Sequence, residues 1–508
     1  MTSPPSAMQD MSRAKRLAIT LTVMVASSMY ALDWTIAAVA LPHMQGTFSA
    51  TQDQISWVLT SYIVISAIML PTTAWLAERI GRKELFMVSI SGFTVSSALC
   101  GGAESLPAEI AYRLAQGGFG AFLIPLSQSI LLDNYPPSQH AKAMAMWGVG
   151  IMLAPVVGPS LGGYLTHEYT WRWVYYINVP LGILSLVGGI VFLQKTVRNT
   201  ARRGFDWLGF LALAIGVGAL QTMLDRGERL DWFDSGEIII EFSLMAIGLY
   251  VFAVQGLTAK HPMVNLRLFR DRNYAIGVIF VFLYGLLSLA PLVMLPPFLQ
   301  SLQGYPITTI GVLMAPRGLG MMFAMILFGR LGDRIDSRIW VTMGFVLLGT
   351  SSFAMSGWNL EVSGWQISWT GWVQGMGAGF VIAPLGMLTF STLDIRHRTE
   401  ASSIWNLIRS VGSAMGLAIA LAVLVRMSGT TRAGLSEFIN PYNKALMSVD
   451  GAWLPNSGSG SLALVETEIA RQAAMIGYLD VFLLSAIASV LVLPLIFLIK
   501  KPAQNANH

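Results

Sequence analysis

Apolar residues run along this 508-residue chain in long blocks separated by short polar stretches. Fourteen blocks stand out, at approximately 17–41, 55–76, 85–103, 108–132, 142–166, 173–193, 207–224, 238–257, 273–299, 306–329, 339–357, 364–391, 401–425 and 478–499. A helix crossing the hydrocarbon core of a bilayer needs roughly 20 apolar residues, at about 1.5 Å rise each. Backbone polar groups in lipid must be paired internally, which leaves helices or closed barrels. Barrel strands alternate in character over about ten residues, and these blocks do not. The pattern predicts an all-α membrane protein with fourteen transmembrane helices.

The polar positions between the blocks set the topology. With the N-terminus in the cytoplasm, the cytoplasmic segments hold about 22 of the 32 Lys and Arg residues. The outer segments hold about 7, and Arg113, Arg317 and Arg409 fall inside blocks. The positive-inside rule favours this orientation and places both termini in the cytoplasm. Asp225–Glu237, an acidic stretch, then lies outside. The block at 17–41 follows Arg13, Lys15 and Arg16 and is too long for a signal-peptide core, so it reads as the first span.

A repeat organises the chain. Ala74-Trp-Leu-Ala-Glu78-Arg79-Ile-Gly81-Arg82-Lys83 follows the second block, and Gly329-Arg330-Leu-Gly-Asp333-Arg334-Ile-Asp336 follows the tenth. If the seventh and eighth blocks are an insertion, both loops follow the second helix of a six-helix half. The expected domains are residues 1–195, a two-helix insertion at 196–265, and 266–508, a 6 + 2 + 6 plan. Internal repeats around a central site mark secondary transporters. The longest polar segment, about 426–477, lies outside; within it Leu462–Met475 has the pattern of a short amphipathic helix.

Composition agrees. Hydrophobic residues make up 54% and charged residues 12%, against about 25% charged in soluble domains. Cys100, the single cysteine, excludes an internal disulfide or a cysteine metal site, and the six histidines form no ligand cluster. No phosphate-binding P-loop is present. The expectation is no enzymatic chemistry, no metal, no cofactor and no nucleic-acid partner.

A few polar groups inside apolar blocks carry the candidate chemistry. Asp33 lies deep in the first block, where a carboxylate is costly. It is expected to be a protonatable site facing a water-filled cavity. Arg113, at a similar depth in the fourth block, is positioned to pair with it or share that cavity. Gly150, Ala154, Gly158 and Gly162 recur at four-residue spacing, flanked by Pro155, Pro159 and Gly163. Such spacing lets another helix approach closely. Glu78, Arg79, Gly81, Arg82, Lys83, Asp333 and Arg334 are candidates for a conformational-switch loop whose ion pairs form and break. Tyr30, Trp34, Gln116, Arg317, Asn406 and Arg409 are candidates to line a substrate cavity.

These motifs resemble the fourteen-helix drug:proton antiporter family of the major facilitator superfamily. The resemblance rests on Leu32–Ile36 with Ala40-Leu41-Pro42, on Leu76–Lys83, on Arg113–Gly118, and on Gly150 through Gly163, which is similar to the family's antiporter motif. Glu78 stands where the family usually has aspartate and Ala74 where it has glycine. Ile124–Pro137, Trp171–Pro180 and Gln221–Phe233 look most like EmrB-type pumps. The resemblance implies a major facilitator fold and proton-driven multidrug efflux in a bacterial inner membrane. It further implies proton coupling at Asp33 and Arg113, lipophilic substrates, and a tripartite assembly with a periplasmic membrane fusion protein and an outer-membrane channel. A symporter, or a dedicated exporter of one metabolite such as a fatty acid or a siderophore, is the alternative on the same fold.

Overall fold

The structure, a computed structural model, describes residues 12–136, 139–194, 204–260, 262–332, 334–393, 398–439 and 459–498. Its helices are α1 (Arg13–Phe48), α2 (Gln52–Met69), α3 (Thr73–Ile80), α4 (Arg82–Gly101), α5 (Leu106–Gly120), α6 (Leu123–Asn134), α7 (His140–Glu168), α8 (Trp173–Tyr176) and α9 (Asn178–Phe192). They continue as α10 (Trp207–Arg226), α11 (Gly236–Thr258), α12 (Arg272–Pro297), α13 (Ile307–Leu331), α14 (Ser337–Ser356), α15 (Gly364–Phe390), α16 (Arg398–Glu437) and α17 (Ser459–Val492). Among the described residues there is no strand, and thirteen helical spans are long and apolar enough to cross a membrane. The 29-residue α7 occupies the position of the fifth expected span.

Several spans are interrupted where the sequence demands it. Pro71 cannot donate to the helical ladder, and a 3-10 turn at Leu70–Thr72 separates α2 from α3. Gly81 adopts φ +106°, a conformation closed to ordinary side chains, and turns the chain from α3 into α4. The polar segment after the thirteenth block departs from expectation. α16 continues to Glu437, and residues 462–475 form the start of the long α17 instead of a separate short helix. At 40 residues α16 is about 60 Å long, roughly twice the hydrocarbon thickness. Arg432 and Glu466 pair at 2.5 Å where α16 and α17 run side by side. Residues 440–458 lie outside the described residues.

Close helix crossings build two bundles. In the first, α7 lies on α1: a methyl placed on Gly158 would sit 2.2 Å from Thr35 Oγ1, and one on Gly162 would sit 3.0 Å from the Ile36 carbonyl oxygen. Gly150 meets Met24 on the same face, and Ala154 and Gly163 are buried. The side chains of Pro155 and Pro159 lie outside the described residues. In the second bundle α16 lies on α12, with Gly412 and Gly416 against the Phe282 and Leu286 carbonyl oxygens. Small residues admit such approaches where no water drives association.

The two bundles meet at one end and part at the other. One apolar cluster joins Leu70, Leu126, Ile130 and Trp147 of the first bundle to Leu388, Ala401, Ile404 and Trp405 of the second. Across the same end Ser402 donates to Gln128 Oε1 at 2.5 Å. At the far end each bundle has its own cluster, around Ile36, Val58 and Tyr175 in one and Met294, Phe298 and Tyr478 in the other. The helices α10 and α11 pack through Gly216 and Gly248. α10 sits against α2 and α16, and Thr60 bonds Asp225 at 2.9 Å.

Gly162→Leu is expected to lower stability by about 1–3 kcal/mol, the usual cost of overpacking, because the α1 backbone blocks the new side chain. Gly46→Ala, on α1 with nothing within 4 Å, is expected to be tolerated. Thermal unfolding of the detergent-solubilised protein checks both.

Candidate functional site

Asp33 on α1 is fully buried. Its Oδ2 accepts from Arg113 Nη1 at 2.5 Å, and its Oδ1 accepts from Gln116 Nε2 at 2.7 Å and Asn178 Nδ2 at 2.8 Å. Arg113 and Gln116 stand three residues apart on α5, hence on one face. Arg113 Nη1 also donates to Gln116 Oε1 at 2.7 Å, and Arg113 Nε to the Val58 carbonyl at 2.9 Å. Asn178, at the start of α9, is held in turn by Ser97 at 3.0 Å. The Arg113 guanidinium lies 4.2 Å over the Tyr62 ring and 5.6 Å from that of Tyr175. The result is an ion pair shut in by aromatic faces, with α1, α2, α4, α5, α8 and α9 each contributing.

This corrects the expected exposure of Asp33. The carboxylate does not line a cavity; it points away from the cavity and into the first bundle. A desolvated carboxylate needs a cation and further donors, and α5 and α9 supply them on the side of α1 about a quarter turn from Tyr30, Ala31 and Trp34. Those three residues do line a cavity of about 320 Å³ between the bundles. Its walls include Tyr62, Ser66 and Ile124 from the first bundle, Tyr284, Met314, Arg317, Met321 and Arg409 from the second, and Gln221 of α10. Of the residues expected at a cavity, Tyr30, Trp34, Arg317 and Arg409 are there. Gln116 belongs to the Asp33 network instead, and Asn406 donates to Gln128 at 3.3 Å where the bundles close.

Tyr62 links the two places. Its ring covers the Arg113 guanidinium, it lies in the cavity wall, and its hydroxyl donates to the Tyr30 carbonyl at 3.3 Å. Its backbone is fixed by Gly117, where a methyl would fall 2.5 Å from the Tyr62 carbonyl oxygen. Arg317 and Arg409 are pinned in the same way, with methyls on Gly375 and Gly285 falling 1.8 and 2.4 Å from their respective carbonyl oxygens.

The loop after α3 is tied within the first bundle. Arg82 pairs with Asp133 at the end of α6, and Lys83 donates to the Leu193 carbonyl and, at 3.2 Å, to that of Ile190. Arg79 stacks on Trp75 at 5.1 Å, while Glu78 lines a shallow groove with Asp206 and Arg267. Arg334 follows α13 and bonds the Leu331 carbonyl through its backbone; Asp333 lies outside the described residues.

Sequence reasoning passed over Tyr62, a neutral residue in an apolar block, and four further residues of the site. Asn178 and Tyr175 sit in the resembling stretch Trp171–Pro180 without any charge to draw notice. Gln221 belongs to helices read as an insertion. Glu109 is fully buried one turn before Arg113, beside Tyr175; an acid four residues from an intramembrane arginine was the available signal.

The sequence pattern of the Major Facilitator Superfamily matches residues 23–417. The chain belongs to this superfamily. Relatives include the "Multidrug export protein EmrB" of Escherichia coli K12, 34% identical over 496 residues, covering 96% of each chain. The "Fatty acid resistance protein FarB" of Neisseria gonorrhoeae is 34% identical over 492 residues, covering 96% of this chain and 97% of that protein. Among solved structures, the human organic anion transporter MFSD10 (TETRAN) superposes with a TM-score of 0.57 at 15% identity, covering 93% of this chain and 99% of that one. A bacterial homolog of the lysosomal transporter Spinster, inward-facing and unoccupied, gives 0.56 at 17%, covering 97% and 100%. These structures share the fold. The chain is thus a multi-pass membrane transporter and a member of the major facilitator superfamily alongside the EmrB-type proteins.

Arg113→Met strands Asp33 as a buried, unpaired charge and is expected to cost about 3–5 kcal/mol. Adding Asp33→Asn removes the stranded charge and is expected to restore most of that loss. The double-mutant cycle, read from unfolding midpoints in one detergent, reports the coupling directly.

Proposed function

We propose that the chain is a proton-driven antiporter that exports lipophilic compounds by alternating access between two halves. The observation that supports this most is the place of Tyr62, with the Asp33–Arg113 pair on one side and the cavity on the other. Protonating Asp33 removes the charge that holds Arg113, so the guanidinium and the Tyr62 ring over it rearrange, and the cavity wall changes with them. Protonation from outside releases the compound and permits the return to an inward-facing state; deprotonation toward the cytoplasm restores binding. Each proton supplies about 2.3 kcal/mol per 100 mV and about 1.4 kcal/mol per pH unit. One or two protons therefore support concentration ratios of roughly ten to a thousand.

The basic-residue distribution supports fourteen helices with both termini in the cytoplasm of a bacterial inner membrane. In that orientation the joined end of the bundles faces the cytoplasm, and the conformation is outward-facing. The proposed division is 1–195, an insertion at 196–265, and 266–508. The Arg82 and Lys83 contacts would lock this state as a switch loop, and the Gly158 face would be the hinge of the antiporter motif. The projecting α16–α17 pair lies on the outer side, where a periplasmic fusion protein leading to an outer-membrane channel would dock. The relative named for fatty acid resistance favours a second reading, a narrower exporter of one metabolite.

Reconstituted vesicles test the proposal. Adding lipophilic compounds is expected to drive proton movement by the wild-type protein and none by Asp33→Asn, although that variant still binds the compounds. Intact proton movement in Asp33→Asn would overturn the assignment.

A further inference from the structure

Arg317 of α13 and Arg409 of α16 both line the cavity, and among the described residues no Asp or Glu does. Arg317 Nη2 donates to the Ser288 carbonyl at 2.9 Å, while its Nη1 is buried with no hydrogen-bond partner among the described residues. The ionisable groups that bear on the two arginines are phenols, Tyr284 and Tyr30. Asp33, in the first bundle, is already saturated by Arg113, Gln116 and Asn178. Uncompensated cations at membrane depth are costly and mark function. Here they are also built in, since Gly375 and Gly285 fix the two backbones by contacts that any larger residue would break. Most of the remaining wall is apolar, with Ile63, Leu289, Leu292, Met314, Met321 and Leu417, and Gln221 and Ser66 are neutral polar groups within it.

We propose that the cavity is built for an amphiphilic anion: Arg317 and Arg409 hold its carboxylate, sulfonate or similar headgroup, and the apolar wall holds its hydrocarbon part. This rests on reading the cavity as the substrate site and names the substrate class. A planar guanidinium with a free Nη–H suits an oxyanion, which it meets with two parallel bonds. A lipophilic cation would face two like charges without compensation, so the same groups exclude it. Ser410 and Ser413 beside Arg409, and Ser288 beside Arg317, add hydroxyl donors to the headgroup end.

Binding to the full-length protein in nanodiscs tests this with three probes of one chain length: 1-decanesulfonate, 1-decanol and decyltrimethylammonium. The sulfonate is expected to bind about tenfold or more tightly than the alcohol, and the ammonium more weakly than either. Arg409→Gln is expected to lose most of that preference, weakening the sulfonate far more than the alcohol, and Arg409→Lys to keep most of it. Arg317→Gln is expected to act in the same direction; should it fail to fold, Arg409→Gln decides alone. Equal binding of all three probes, or tighter binding of the ammonium, overturns the proposal. So does an Arg409→Gln variant that keeps the sulfonate preference. Sulfonate-selective binding without any substrate-driven proton movement leaves the anion site standing and overturns the efflux reading. Proton-coupled export of neutral or cationic compounds without sulfonate preference does the reverse.

Discussion

A carboxylate sealed inside a membrane protein must be matched, and much of the first bundle is arranged to match Asp33. Arg113 supplies the charge, Gln116 and Asn178 supply two further donors, and Tyr62 and Tyr175 cover the guanidinium. Removing one partner of such a pair leaves the other buried and unpaired, which costs more than the pair itself contributes. Six helices contribute to this one constraint, so their relative positions depend on it.

The glycines do the complementary work. Helices in lipid gain little from burying apolar surface, so their association rests on close packing and polar contacts. Gly158 and Gly162 bring α7 onto α1 within reach of Thr35 and Ile36, two and three residues beyond Asp33. Gly117, Gly285 and Gly375 fix the backbones of Tyr62, Arg409 and Arg317. Polar groups and packing thus converge on one level of the molecule. The cavity shares α1 and α2 with the ion pair and α12, α13 and α16 with the close crossings of the second bundle.

The asymmetry between the bundles has a chemical consequence. The first holds a neutralised pair behind the cavity wall, and the second presents two cations in the wall itself. The buried pair and the two cations of the cavity wall are thus held apart in separate bundles. Tyr62 and Tyr30, their rings tilted by 30° with centroids 5.6 Å apart, stand between them.

Hydrophobic block length by itself determined that this chain is an all-helical membrane protein, because lipid permits few other backbones. It also singled out Asp33, Arg113, Arg317 and Arg409, since charge inside an apolar block is conspicuous in one dimension. The four-residue spacing of Gly150, Ala154, Gly158 and Gly162 announced a close crossing in the same way. Only tertiary structure decided that Asp33 turns toward α5 and α9 and not into the cavity, that Gln116 joins it, and that Asn406 closes the joined end. It alone brought Gln221 of α10 to the cavity and Asn178 to the carboxylate, and it merged residues 462–475 into α17. The reason is physical. Periodicity says which residues share a face of one helix, but which neighbour that face meets depends on contacts between segments far apart in the chain.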